Sequence, residues 1–110
     1  MTFKVVMTVG FKKELKRIAK KHASILSDIN SLVDELSETP EIGSALGKNV
    51  YKIRLSITGT SKGKSGGARV ITYIKIIANT VIMTEIYLKN EYDSVNVDAV
   101  IEGLNREGYI

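Results

Sequence analysis

An α+β domain is predicted, with a small antiparallel sheet packed on an N-terminal helical hairpin and a short C-terminal helix closing the chain. Three observations carry that prediction. Apolar residues alternate at the N-terminus, recur at helical spacing over residues 11–36, and alternate again over residues 50–88. Glycine, proline and asparagine stand at the changes of period. The links between the later strands are short, which favours an antiparallel meander. With 110 residues, 44% of them apolar and a single proline, the chain has the size of one small domain over residues 1–110 and not the composition of a disordered segment.

The first strand covers Phe3 to Val9, with Phe3, Val5, Met7 and Val9 on one side and Gly10 at its end. From Phe11 the period lengthens: Phe11, Leu15, Ile18 and Ala19 share one helical face, and Lys12, Lys13, Lys16, Arg17, Lys20 and Lys21 cover the rest. A second helix carries Leu26, Ile29, Leu32, Val33 and Leu36 on one face. The break falls at His22 to Ser24 because Ser24 can cap the second helix; one continuous helix is the alternative. The helical pattern stops between Ser37 and Pro40, and Gly43 and Gly47 mark a loop. Residues 50–57 then alternate strictly, setting Tyr51, Ile53, Leu55 and Ile57 against Val50, Lys52, Arg54 and Ser56. Residues 68–77 set Val70, Thr72, Ile74 and Ile76 against Arg69, Ile71, Tyr73 and Lys75. After a turn at Asn79-Thr80, Ile82, Thr84, Ile86 and Leu88 oppose Val81, Met83, Glu85 and Tyr87. Asp98, Val100, Ile101 and Leu104 mark the closing helix, ended by Gly108.

Composition removes several classes of function. The chain has no cysteine and one histidine, so a disulfide framework, a thiolate nucleophile and a zinc site of nitrogen and sulfur donors are not expected. No metal or other cofactor is implied. The N-terminus lacks the apolar core of a signal peptide, and no apolar run approaches the roughly 18 residues of a membrane span. A soluble, cytoplasmic protein with no membrane partner is expected.

Charge is where the sequence points to function. Residues 1–41 hold seven basic and six acidic side chains, residues 85–110 hold two basic and six acidic, and residues 42–84 hold seven cations and no acid. A one-sided cationic surface of this kind favours a polyanion, and phosphate backbones are the commonest one. In the expected sheet, Lys52, Arg54, Arg69, Tyr73 and Tyr87 gather on the face away from the helices. Each cation alone reads as part of a solvated face. Three together without a nearby carboxylate repel one another unless an anion occupies them. Tyr73 and Tyr87 cover the same face and offer rings for base stacking. The loop Thr60-Ser61-Lys62-Gly63-Lys64-Ser65-Gly66-Gly67 has the glycines and lysines of a phosphate loop, but the GxxxxGK[ST] motif requires a following helix, and a strand follows here. Its plainer role is a hairpin loop whose cationic tip, Lys62 and Lys64, touches a nucleic-acid backbone. The lysines of the first helix read as solvation and His22 as a junction residue.

Three segments in this order and spacing, Tyr51-Lys52-Ile53-Arg54-Leu55, then Lys62-Gly63-Lys64-Ser65-Gly66-Gly67-Ala68-Arg69-Val70-Ile71, then Ile86-Tyr87-Leu88-Lys89-Asn90-Glu91, resemble the RelE/HigB toxins of type II toxin–antitoxin systems. The resemblance covers nearly the whole chain, and GKSGGARVI is its most specific part. It implies a RelE-like fold and metal-independent cleavage of messenger RNA on the ribosome, by attack of a ribose 2′-hydroxyl on the adjacent phosphodiester. It also implies a cognate antitoxin that covers the cationic face. Lys52 and Arg54 match the family's basic pair on the second strand, suited to phosphate binding and, for the lysine, to proton transfer. Arg69 matches the third-strand arginine, whose forked donors suit transition-state charge. Lys89 and Tyr92 fall where the family keeps acid or base residues. An ordinary lysine, with a pKa near about 10.4, is a poor base at neutral pH, and neighbouring cations reduce that handicap. The ribosome is therefore expected to supply substrate geometry, and the isolated protein to be slow on free RNA. The alternatives are a non-enzymatic inhibitor, like the related ParE toxins that poison gyrase, and a nucleic-acid-binding module without catalysis. The Lys52, Arg54 and Arg69 cluster favours the nuclease, because a gyrase poison needs no phosphate-sized cationic site.

Overall fold

The computed structural model describes residues 2–59, 67–91 and 94–110. Its elements are β1 (Lys4–Met7), α1 (Val9–Ala19), α2 (Ile25–Glu38), β2 (Ser44–Gly47), β3 (Val50–Leu55), β4 (Ala68–Lys75), β5 (Thr80–Leu88) and α3 (Val97–Arg106). The five strands form one sheet in the order β1-β5-β4-β3-β2. The α+β class holds, but the sheet is mixed and not antiparallel. From β2 to β5 each strand runs antiparallel to the next, whereas β1 pairs parallel with β5, Val5 opposite Val81 and Met7 opposite Met83. Short links force the antiparallel meander; β1 is separated from its neighbour by most of the chain and carries no such constraint.

The first strand is shorter than its alternation suggests. Thr8 leaves the sheet to cap α1: its hydroxyl accepts from the Phe11 amide at 3.0 Å and donates to the Thr84 carbonyl at 3.2 Å. Val9 thereby enters the helix and is exposed, while Phe11, Leu15 and Ile18 are buried as their spacing predicts. In α2 the buried stripe is Ile25, Ile29, Leu32 and Leu36; Leu26 turns outward. Ser24 sits at the cap position but spends its hydroxyl on the Thr58 carbonyl, at 2.7 Å. The first-turn Asp28 accepts from both the amide and the hydroxyl of Thr58, so α2 grips the chain just beyond β3.

Strand β2 occupies a segment whose glycines predict a loop. Its signal is the two-residue turn Lys48-Asn49, where both residues have positive φ (54° and 65°), as a tight β-hairpin requires. Gly43, at φ +99°, lies so close to the Lys52 carbonyl oxygen that a Cβ there would collide with it. The glycine thus lets the chain pass against β3 at Lys52. At the other end β4 stops at Lys75, and a 3₁₀ turn (Ile76–Ala78) exposes Ile76, expected inside.

In β5 the alternation slips. Ile71 faces Glu85 and Thr72 faces Met83, leaving Thr84 as the extra residue of a β-bulge. Before the bulge Val81 and Met83 point to the α1/α2 core; after it Ile86 does, three residues on. Alternation alone sets Ile86 against Met83. One core therefore lies between the sheet and α1 and α2, around Phe11, Ile29, Leu36, Val70 and Met83. A second lies on the opposite face under α3, formed by Val50, Ile71, Ile82, Tyr87, Val100 and Leu104. Helix α3 ends as expected: the Tyr109 amide returns to the Leu104 carbonyl and the Gly108 amide to Asn105, around Gly108 at φ +83°.

Candidate nucleic-acid interface

Strand register fixes which side chains share the α3 face. Arg54 lies opposite Arg69 and Arg69 opposite Tyr87. The next row on that face is Lys52, Ile71 and Glu85, and the third is Val50, Tyr73 and Ile82. The residues expected to gather here do so. Helix α3 packs over the apolar members of these rows and leaves the Arg54 corner open.

The face is not the solvated cationic surface that alternation predicts. Arg54 is exposed and Lys52 half-buried, but Arg69 is only 2% and Tyr87 only 1% exposed. For Tyr87 the physical reason is the second core, in which Val100 and Leu104 of α3 pack with it. Arg69 Nη1 donates to the Ala68 carbonyl at 3.1 Å, within its own strand. The Tyr87 ring, expected as a stacking platform, belongs to the core instead, and Tyr73 packs half-buried at its margin. Two other cations of the acid-free segment are engaged elsewhere: Lys48 pairs with Asp98 at the start of α3, and Lys75 Nζ donates to the Tyr109 carbonyl at 3.2 Å.

The Lys89 amide donates to the Gly67 carbonyl at 3.0 Å, which places Lys89 at the same end of the sheet as Arg54 and Arg69. Lys62, Lys64 and Tyr92 lie outside the described residues. Beyond Lys89, Glu91 accepts from Arg17 Nη2 at 2.9 Å, and Arg17 Nε also donates to Glu14 at 2.6 Å. This bridge ties α1 to the end of β5. The hydrogen bonds to Glu91 and Glu14 raise the arginine pKa, and Arg17 in turn holds the Glu91 carboxyl below its ordinary value.

Glu85 is the residue that sequence reasoning passes over. Among the described strands it is the sole carboxylate. Desolvation pushes its pKa up, and among the described residues no hydrogen bond or ion pair reaches it. It stands in the wall of a cavity of about 320 Å³ between β5 and α3, with Asn96 and Glu107 among the polar lining and Val95, Val100 and Leu104 among the apolar. The signal in the sequence is its isolation, an acid on a strand whose neighbours are apolar. Alternation with Tyr87 sets it on the α3 face, and the bulge at 84 sends Val81 and Met83 to the other.

Among the described residues no group of three or more His, Asp or Glu side chains comes together as a metal site, and no helix is long and apolar enough to cross a membrane. Compared with models of known protein families and with curated proteins, the sequence matches none.

Proposed function

We propose that this protein is a ribosome-dependent messenger-RNA endonuclease of the RelE/HigB type, neutralised in the cytoplasm by a cognate antitoxin. The observation that carries the reading is the opposition of Arg54 and Arg69 on adjacent strands, with Lys52 one step along the same face. Like charges directly across a sheet are destabilising. Exposed Arg54 makes no ion pair among the described residues, and a phosphodiester lying against it would take up that charge. The order of the segments that resemble the toxins supports the same reading.

In the proposed reaction the 2′-oxygen bonds to phosphorus and the bond from phosphorus to the 5′-oxygen breaks. The 2′-hydroxyl proton leaves to a base and the 5′-oxygen receives one. Arg54 binds the phosphate from the open side, Lys52 donates to it or carries a proton, and Arg69 supplies positive potential from inside the protein. The burial of Arg69 and Tyr87 is the specific observation that favours a second reading, a nucleic-acid-binding module without catalysis.

A translating extract separates the two. New 5′ ends are mapped on messenger RNA with the wild type and with Arg54→Ala, which removes an exposed side chain and should leave the fold intact. Cuts that require ribosomes and fall by about tenfold to a hundredfold in the variant support the nuclease, a loss of about 1.4 to 2.7 kcal/mol of transition-state stabilisation. Inhibition of translation without cuts supports the binding module.

A further inference from the structure

The cavity between β5 and α3 is separate from the arginine row but belongs to the same face. Glu85 stands diagonally across one strand pair from Arg69, a step of roughly 7–8 Å between Cα atoms. Glu85 thus joins the cavity to the same sheet face that carries the arginine row. The cavity offers a carboxylate with no partner among the described residues, and Asn96, whose Oδ1 is already committed to capping α3 by accepting from the Ala99 amide at 3.0 Å. The NH₂ of Asn96 remains as a donor. Val95, Val100 and Leu104 give apolar wall against which a flat ring can lie.

We infer that this cavity is a subsite for a guanine base, with Glu85 accepting from the ring N1–H and the 2-amino group and Asn96 donating to O6. The inference rests on the RNA-binding reading above. Guanine alone among the four bases presents two adjacent N–H donors beside a carbonyl acceptor, which matches two carboxylate oxygens beside an amide NH₂. Adenine and cytosine place a lone pair next to their amino group, facing the carboxylate. Uracil flanks its single N–H with carbonyls. A guanidinium group from a protein partner would satisfy Glu85 equally well, but it has no acceptor for Asn96. The raised pKa of Glu85 fits an acceptor that awaits donors, since hydrogen bonds to the charged form would bring it back down.

The test is equilibrium binding of guanosine, adenosine, cytidine and uridine 3′-monophosphates, and of N-acetyl-argininamide, to the full chain. It compares the wild type with Glu85→Gln, Asn96→Asp and Arg54→Ala. Gln keeps the volume at 85, and Asp keeps the capping oxygen at 96. Guanosine monophosphate should bind about tenfold tighter than the other three, the scale of one good bidentate pair. Glu85→Gln and Asn96→Asp should each erase that preference, while Arg54→Ala should weaken all four nucleotides alike. Equal binding of the four, absence of guanosine binding, a preference that survives Glu85→Gln, or selective binding of the arginine probe would each overturn the assignment. The nuclease reading fails separately. If the preference is present and Glu85-dependent but ribosome-dependent cuts are absent, the subsite stands without the nuclease; if cuts occur with no guanine preference, the nuclease stands without the subsite.

Discussion

The same strands present two different faces. Toward α1 and α2, β3, β4 and β5 contribute Ile53, Val70 and Ile86, all buried and all aliphatic. One residue along, toward α3, they contribute Arg54, Arg69 and Tyr87, of which the first is exposed and the others enclosed. The first face is covered by helices of 11 and 14 residues, the second by one of 10. A single short helix seals the middle of a sheet and leaves its corner open. The difference teaches that strand alternation assigns a side but not an environment: the same parity puts Arg54 in water and Tyr87 in a core.

The largest effect should come from the fully covered face. Phe11 has no exposed surface and lies in the core with Ile29, Leu36 and Met83. Phe11→Ala should cost about 3–5 kcal/mol of stability, measured by urea denaturation. Arg54→Ala on the open corner should change stability by less than about 0.5 kcal/mol in the same measurement, as surface substitutions do. A large loss at Arg54 would break the comparison, because it would mean that the corner is structural and not a binding surface. A gain in stability would sharpen it, as relief of like-charge opposition to Arg69.

Much of this is legible in the sequence, for identifiable reasons. The spacing of Phe11, Leu15 and Ile18 predicts α1's buried stripe, and alternation in residues 50–55 separates Ile53 from Lys52 and Arg54, because each period has a single geometric meaning. The features that are not legible depend on partners distant in sequence. The parallel pairing of β1 with β5 has no local signature. The bulge at Thr84 shows in the sequence only as consecutive inward residues, Met83 and Ile86, spaced by three. The burial of Tyr87 comes from where α3 lands, and nothing in its strand encodes that. Thr8 looks like a strand residue until Thr84 and Phe11 are both within its reach. Of the interface, the shared face of Lys52, Arg54, Arg69 and Glu85 can be read from alternation, but the cavity beside Glu85 cannot, because α3 forms its other wall.

Two glutamates extend the comparison to its smallest measurable effect. Glu85, on the α3 face, is desolvated without a partner among the described residues, so its folded pKa is raised; Glu91, at the solvent end of β5, is held by Arg17, so its folded pKa is lowered. The folded state therefore binds the Glu85 proton more tightly than the unfolded chain does. Its contribution to stability is fully present below the unfolded value near about 4.3 and is lost as pH rises through the folded value. Glu91 behaves oppositely: its contribution is present above the unfolded value and disappears as pH falls through the lowered one. Glu85→Gln should accordingly gain on the wild type between acidic and neutral pH, whereas Glu91→Gln should lose on it over the same interval. Glu91 and Arg17 are solvent-accessible, so raising the salt concentration should flatten the Glu91 difference and leave the Glu85 difference nearly unchanged. Chemical denaturation of the three proteins across that pH range at low and high salt reads both slopes. Slopes of the same sign would mean that Glu85 has found a cation, and the α3 cavity would then already be satisfied from within the chain.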